Sequence, residues 1–325
     1  MGEFMKKVES VFIMIILLFI GFEILTESES ILKSVTFSLN IFKNNIFPSL
    51  FPFLILSSLL IKYGFVEFLS ILFKNLMNKL FKINSKCAFI FFMSILTGNP
   101  TNAKYTGELY KNGDINVYEA TKVLCFSSFT SPLFILGTVT LLLNNKEVAL
   151  LILICHYLGN VIIGLLIRNY HPSAEEDKET GICKAIDSMH MKRISNKEGF
   201  GTIITNSLME SINTLLLILG VITVCLVITT IIDNNLNLNS TIQSILNGFV
   251  EMTQGLRYIS IEPIPLKLKC VLTVMILSFG GMSVHLQVMS VLSDTDIKYL
   301  PFLVSRVFAS IISSLLMFFL FDYFI

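Results

Sequence analysis

The chain has 325 residues, 54% of them hydrophobic and 14% charged, with a net charge of +1. That balance excludes a nucleic-acid-binding footprint and identifies an all-α polytopic membrane protein in contact with the lipid bilayer. Six cysteines (Cys87, Cys125, Cys155, Cys183, Cys225, Cys270) are scattered without a C-x-x-C pair or a cluster with the four histidines, so they read as reduced apolar residues, and neither a metal nor a cofactor is expected.

Met1-Gly2-Glu3-Phe4 precede a plausible second start at Met5-Lys6-Lys7 and are left out of the fold reading. Residues 8–25 are a first span with no small-residue cleavage site after it, expected to be retained, and Lys6-Lys7 place its start in the cytoplasm. Residues 30–45 are mixed and expected at the opposite interface; residues 46–61, with Pro48 and Pro52, form a second span. Residues 62–86 carry Lys62, Lys74, Lys79, Lys82 and Lys86 among Phe, Leu and Ile, as an amphipathic helix at the cytoplasmic face would. Residues 87–110 are two arms of about ten residues, each half a bilayer core long, flanking Thr97-Gly98-Asn99-Pro100-Thr101-Asn102-Ala103-Lys104. One broken, fully crossing helix fits that length, and so does a re-entrant hairpin; Lys86 and Lys111 at its ends favour the hairpin, entering from the cytoplasmic side.

Residues 115–143 predict a long span kinked at Pro132, with the hydroxyls of Ser127, Ser128, Thr130 and Ser131 turned inward. Residues 148–167 return. Residues 168–199 hold mixed charges and predict a cytoplasmic loop. Residues 200–232 span outward, and residues 241–258 match the first half's amphipathic helix in position. Residues 266–279 and 283–292 flank a second break at Gly280-Gly281, which predicts a second hairpin entering from outside. Residues 297–324 are the last span. An offset of 182 joins Gly98 to Gly280, Asp114 to Asp296 and Ile115 to Ile297. The expected architecture is therefore two inverted repeats, each with an interrupted (re-entrant) helical hairpin. Its parts are an N-terminal span (1–25), a first membrane repeat (26–168), a cytoplasmic loop (169–199) and a second membrane repeat (200–325).

The two breaks and the stretch Ser131-Pro132-Leu133-Phe134-Ile135-Leu136-Gly137 resemble the YlbJ-type (SpoVV-type) sporulation integral membrane proteins, within a wider set described by a nucleoside-recognition, or Gate, domain. The most specific parts are Gly98-x-Pro100-x-x-Ala103-Lys104, Glu251-Met252-Thr253-x-Gly255 and Gly280-x-x-Ser283-Val284-His285-x-Gln287. The resemblance implies an endospore former and movement of dipicolinic acid, a small anion, from mother cell to forespore across the outer forespore membrane. A nucleoside transporter is the nearby alternative. A non-transporting assembly protein for spore maturation is a second, and an enzyme ranks last, since no H-E-x-x-H or nucleophile–base set is present.

An anion leaves water where charge or dipole receives it, and a half-helix N-terminus offers both free N–H groups and partial positive charge. The breaks supply two such starts, with Thr97, Gly98, Asn99, Thr101 and Asn102 on one and Gly280, Gly281 and Ser283 on the other. Ser131 adds a hydroxyl beside Pro132. Lys104 either adds positive charge or snorkels to the interface. Arg306 lies near mid-membrane and faces a cavity, a bound anion or a structural carboxylate, Glu251 or Glu210. His285 carries a proton or is an interior hydrogen-bonded group; Gln287 lies two residues on. Glu251 and Gln254 share a helix face, and Glu251 is the candidate for coupling to H+ or Na+, or else neutralises Arg257. A homo-oligomer is compatible with this pattern.

Overall fold

A computed structural model describes residues 2–173, 181–236 and 238–325. All regular structure among them is helical. The chain opens with α1 (Gly2–Thr26), whose apolar side chains face outward nearly all round, as in a lipid-exposed span. Next come α2 (Ser28–Ile41) and α3 (Phe47–Lys62), joined by a π turn over Phe42–Ile46 into one helical run of 35 residues. Residues 30–45 are therefore part of a span rather than an interfacial segment. The wide turn ends just before Pro48, whose missing N–H would otherwise interrupt the ladder there.

Residues 62–86 do not form one amphipathic helix. They form α4 (Phe65–Leu72), a break at Phe73 and a π turn over Leu76–Phe81, bounded by Gly64 and Lys82, which both take left-handed backbone conformations. Then follow α5 (Cys87–Thr97), α6 (Thr101–Lys111), α7 (Val117–Phe126), α8 (Pro132–Leu143) and α9 (Lys146–Leu166). Residues 115–143 are thus interrupted across 127–131 rather than kinked. Within the expected loop, α10 (Ile182–Ser195) packs on α4, with Arg193 over the Tyr63 ring at 4.5 Å; residues 174–180 of that loop lie outside the described residues.

The second half consists of α11 (Phe200–Asn235), α12 (Ser240–Val250), α13 (Met252–Ile261), α14 (Leu266–Phe279), α15 (Gly281–Val291) and α16 (Tyr299–Phe324). Among the described residues, six helical stretches are long and apolar enough to cross a membrane, which makes this a multi-pass integral membrane protein. Their membership differs from the sequence expectation. Residues 266–291 count as one stretch of 26 residues interrupted at Gly280, whereas α7 and α8 are each too short.

In lipid, apolar burial does not drive helices together, so packing and interhelical hydrogen bonds hold them. The 36-residue α11 is the spine. Hydroxyls dock α2 and α3 along it: Ser38 Oγ lies 2.8 Å from Thr223 Oγ1, and Ser207 Oγ donates to Ser58 Oγ at 2.9 Å. The buried aromatic core sits by α5 and α7, where Phe81 stacks on Phe126 at 4.5 Å and Phe91 meets Phe129 at 5.6 Å.

Candidate functional site

Two helix pairs turn back on themselves. The ends of the α5–α6 pair are joined by an ion pair between Lys86 and Asp114. The ends of the α12–α13 pair are joined by Glu262, whose carboxylate accepts from Ser240 Oγ at 3.0 Å, Thr241 Oγ1 at 3.1 Å and Ser244 Oγ at 3.1 Å. The arms of the second pair cross closely: a Cβ on Gly255 would come within 2.1 Å of Gly248 Cα. Lys104 of α6 approaches Glu210, toward the start of α11, at 3.8 Å, while Asp233, in the last turn of α11, receives Gln243 and Asn247 of α12 at 2.7 Å each. The pairs thus meet α11 on opposite sides of its middle. Their tips meet at a cavity against Ile218 and Ile222, in its middle.

That cavity has a volume of about 70 Å³, room for a few waters. Four helix starts border it. Thr97 and Asn99 precede α6, Thr130 and Ser131 precede α8, Glu251 caps α13 with Thr253 in its first turn, and Ser283 and Gln287 lie on α15. Asn45 and Ser49 close the side toward α3. Of the residues singled out in the sequence, Thr97, Asn99, Ser131, Glu251, Ser283 and Gln287 line this space. Gly98, Thr101, Asn102, Lys104, Gln254, Gly280, Gly281, His285 and Arg306 do not. Thr130, Thr253 and Asn45 are additions. The first two lie inside motifs legible in the sequence, and Asn45 sits beside Pro48 at the π turn.

The interruption at 127–131 finds protein partners for its carbonyls and for Thr130 N, as membrane depth requires. Arg306, 1% exposed, donates to Cys125 O, to Ser128 O at 3.1 Å and to Asn160 Oδ1 at 2.8 Å. Neither Glu251 nor Glu210 is its partner. Its positive charge lies at the C-terminal end of α7, where the helix dipole favours it. The expectation that a mid-membrane arginine faces a cavity, an acid or an anion omitted a further option: a broken helix exposes carbonyls that receive a guanidinium. Phe129 O accepts from Asn99 N at 2.9 Å, and Tyr157 OH bridges Thr130 O at 3.1 Å and Ile95 O at 2.8 Å. Ser128 Oγ donates to Asn99 Oδ1 at 2.9 Å. His156 Nε2 accepts from Thr130 N at 2.8 Å, so its proton sits on Nδ1, directed at Ser278 Oγ 2.8 Å away.

The second half is held differently. Glu251, 1% exposed, accepts from Gln254 N at 3.0 Å and from Thr253 Oγ1, capping α13 through its own side chain. Arg257 lies over the Phe37 ring at 4.9 Å instead of pairing with it. His285 Nε2 lies 3.1 Å from Phe279 O and donates to it, leaving Nδ1 to accept from Tyr299 OH at 2.9 Å; this is the interior hydrogen-bonded role. Asn102 is fully buried and both its amide atoms lack a hydrogen-bond partner.

The fold and this site define an all-helical, multi-pass membrane protein with interrupted helices converging on a small polar-rimmed cavity. The family profile described as Gate, nucleoside recognition, matches residues 44–232, and the chain belongs to that family. It is also similar to the sporulation integral membrane protein YlbJ of Bacillus subtilis (strain 168), at 29% identity over 327 residues, covering 93% of this chain and 80% of that protein. No solved structure matches the chain.

Proposed function

We propose that the chain is a transporter, or permeation pathway, for a small anionic aromatic solute, dipicolinic acid moved from mother cell to forespore, working in the outer forespore membrane. The observation that carries this reading is the meeting of four helix N-termini at one cavity. Each is equivalent to about half a positive charge, so roughly two positive charges face the space against the single carboxylate of Glu251. The net positive field suits a solute that carries carboxylate, without a lysine or arginine in contact. The cavity is too narrow for such a solute as it stands, so the hairpin tips part to admit it.

The same reading includes two inverted repeats, with α5–α6 and α12–α13 as the re-entrant hairpins. The pairing that supports them is not the offset of 182, which sets the interrupted α7–α8 against the unbroken α16. An offset of 153 links the first residues of α5 and α12 (Cys87, Ser240), their last caps (Gly98, Glu251), the C-caps of α7 and α14 (Ser127, Gly280) and the first residues of α9 and α16 (Lys146, Tyr299). The contacts of the two hairpins with α11 on opposite sides of its middle fit an inverted relation.

A specific observation favours a second reading, a nucleoside. The described lining residues include Glu251 and several hydroxyls and amides but no cation, which suits a neutral, hydroxyl-rich solute, and the family carries a nucleoside-recognition description. Purified protein in liposomes, given labelled dipicolinate and uridine in parallel, separates the two. Dipicolinate flux without competition by uridine is expected. Flux of uridine alone would transfer the site to nucleosides, and flux of neither solute would favour an assembly role.

A further inference from the structure

A groove separate from the solute cavity runs between α7, α9 and α16. Its volume is about 360 Å³, within the range of small-molecule sites. Ile163 and Leu166 of α9 and Val304 and Phe308 of α16 form its walls, with Cys125 of α7. Leu166, Val304 and Phe308 are exposed, so the groove opens to the outer, lipid-facing surface. The hydroxyls in its lining, Thr121 and Ser305, are spent on Val117 O and Phe302 O of their own helices at 2.7 Å and 2.6 Å. What remains of the wall is apolar and suits a hydrocarbon chain.

One end of the groove is basic. Lys122, buried in the lining, donates through Nζ to Lys82 O at 2.9 Å and to Arg168 O at 2.7 Å. Its charged neighbours are Lys82, Arg168 and Glu119. Lys82 Nζ donates to Asn169 Oδ1 at 2.8 Å and Arg168 Nη2 to Lys79 O at 2.6 Å, both uncharged acceptors. The Glu119 carboxylate is spent on Asn116 N at 2.9 Å, in the cap of α7. Among the described residues, no carboxylate forms an ion pair with any of the three cations, so positive charge is in excess. Aromatic rings gather at the same end. Tyr170 lines the groove, His171 lies 4.8 Å from it, and Tyr118 stacks on His171 at 3.9 Å. Such amphipathic rings collect at the headgroup level of a bilayer, which puts the three cations at that level and the apolar groove below them.

We propose that this groove binds an anionic phospholipid, with one acyl chain between α9 and α16 and the phosphate at Lys82, Lys122 and Arg168. Basic pockets between membrane helices receive anionic headgroups in this way. A zwitterionic headgroup would leave the excess positive charge unmet, and a soluble phosphate would leave the apolar walls unused. The chain would also cover the bonds of Arg306 from outside: Cys125, whose carbonyl Arg306 holds, and Ser305, its neighbour in sequence, both line the groove. This site stands whichever solute the protein carries.

The test is thermal unfolding of the purified full-length protein in detergent, with added phosphatidylglycerol, phosphatidylcholine of the same chains, or soluble glycerol 3-phosphate. A saturable rise in melting temperature is expected with phosphatidylglycerol, less with phosphatidylcholine and none with glycerol 3-phosphate. Lys82→Gln and Arg168→Gln together should raise the half-saturating mole fraction of phosphatidylglycerol by at least about tenfold. Val304→Phe narrows the groove without changing any charge and should weaken the response by a similar factor, which keeps the test open if the double variant does not accumulate. Equal responses to the two lipids would overturn the proposal, because the groove would then hold bulk lipid without selection. An equal rise with glycerol 3-phosphate, or an unchanged phosphatidylglycerol response in either variant, would overturn it too.

Discussion

The hairpins α5–α6 and α12–α13 have arms of the same length, 11 and 11 residues against 11 and 10, yet they handle exposed backbone in opposite ways. The first is bonded outward. Its tip residue Asn99 gives its N–H to Phe129 O and takes Ser128 Oγ on its side chain, and the neighbouring carbonyls are filled by Arg306 and Tyr157. The second is bonded inward, through Glu251 capping its own helix. The difference teaches where charge goes at a membrane-depth break. The arginine that a sequence assigns to a solute is consumed by carbonyls of the protein. The acid, which a sequence assigns to coupling, is the charged side chain that borders the cavity.

The largest way to break this comparison is at Arg306. Arg306→Ala strands Cys125 O, Ser128 O and Asn160 Oδ1 in a buried site. At about 1–3 kcal/mol for each unsatisfied group, folded protein should be almost lost, as read by detergent size-exclusion chromatography. Arg306→Lys should be intermediate, and changes at Glu251 or Glu210 should not rescue either variant. Normal abundance of Arg306→Ala would remove the latch.

Next in size are the two close approaches. Gly98 has φ +81°, and a Cβ there would lie 2.5 Å from Ser131 N. Gly98→Ala should cost about 2–3 kcal/mol through backbone strain and displacement of α8. Gly255→Ala should part the second hairpin at Gly248 with a similar loss. A melting temperature within a degree of wild type for either variant would show that its tip is not tightly held.

Glu251→Gln sharpens the contrast from the second side. The amide oxygen still caps Gln254 N, so stability should change by less than about 1 kcal/mol, while solute flux in liposomes falls severely. Stability loss without flux loss would make Glu251 a cap alone. The smallest effect belongs to Lys86→Met. This ion pair is partly exposed on the lysine side, so about 0–1 kcal/mol is expected, with flux retained.

The breaks at Gly98 and Gly280 are legible because Gly-Asn-Pro and Gly-Gly do not continue a helix. The interruption at 127–131 reads as a simple proline kink because its stabilising partners, Tyr157, His156 and Arg306, lie far along the chain. The break at Glu251 has no glycine or proline in it. Its only local sign is an acid three residues before Gln254, an N-cap spacing inside an otherwise helical run. The offset of 182 rests on matched Gly and Asp-Ile residues, whereas helix caps follow 153, since the positions where helices start and stop carry the architecture.

The central claim is that the space between the two tips receives the solute. A single cysteine at Thr253, with the six native cysteines replaced, tests it directly through labelling by a water-soluble maleimide in liposomes. The account predicts slow labelling that dipicolinate suppresses and uridine does not. Labelling unaffected by either solute, with flux intact, would contradict it.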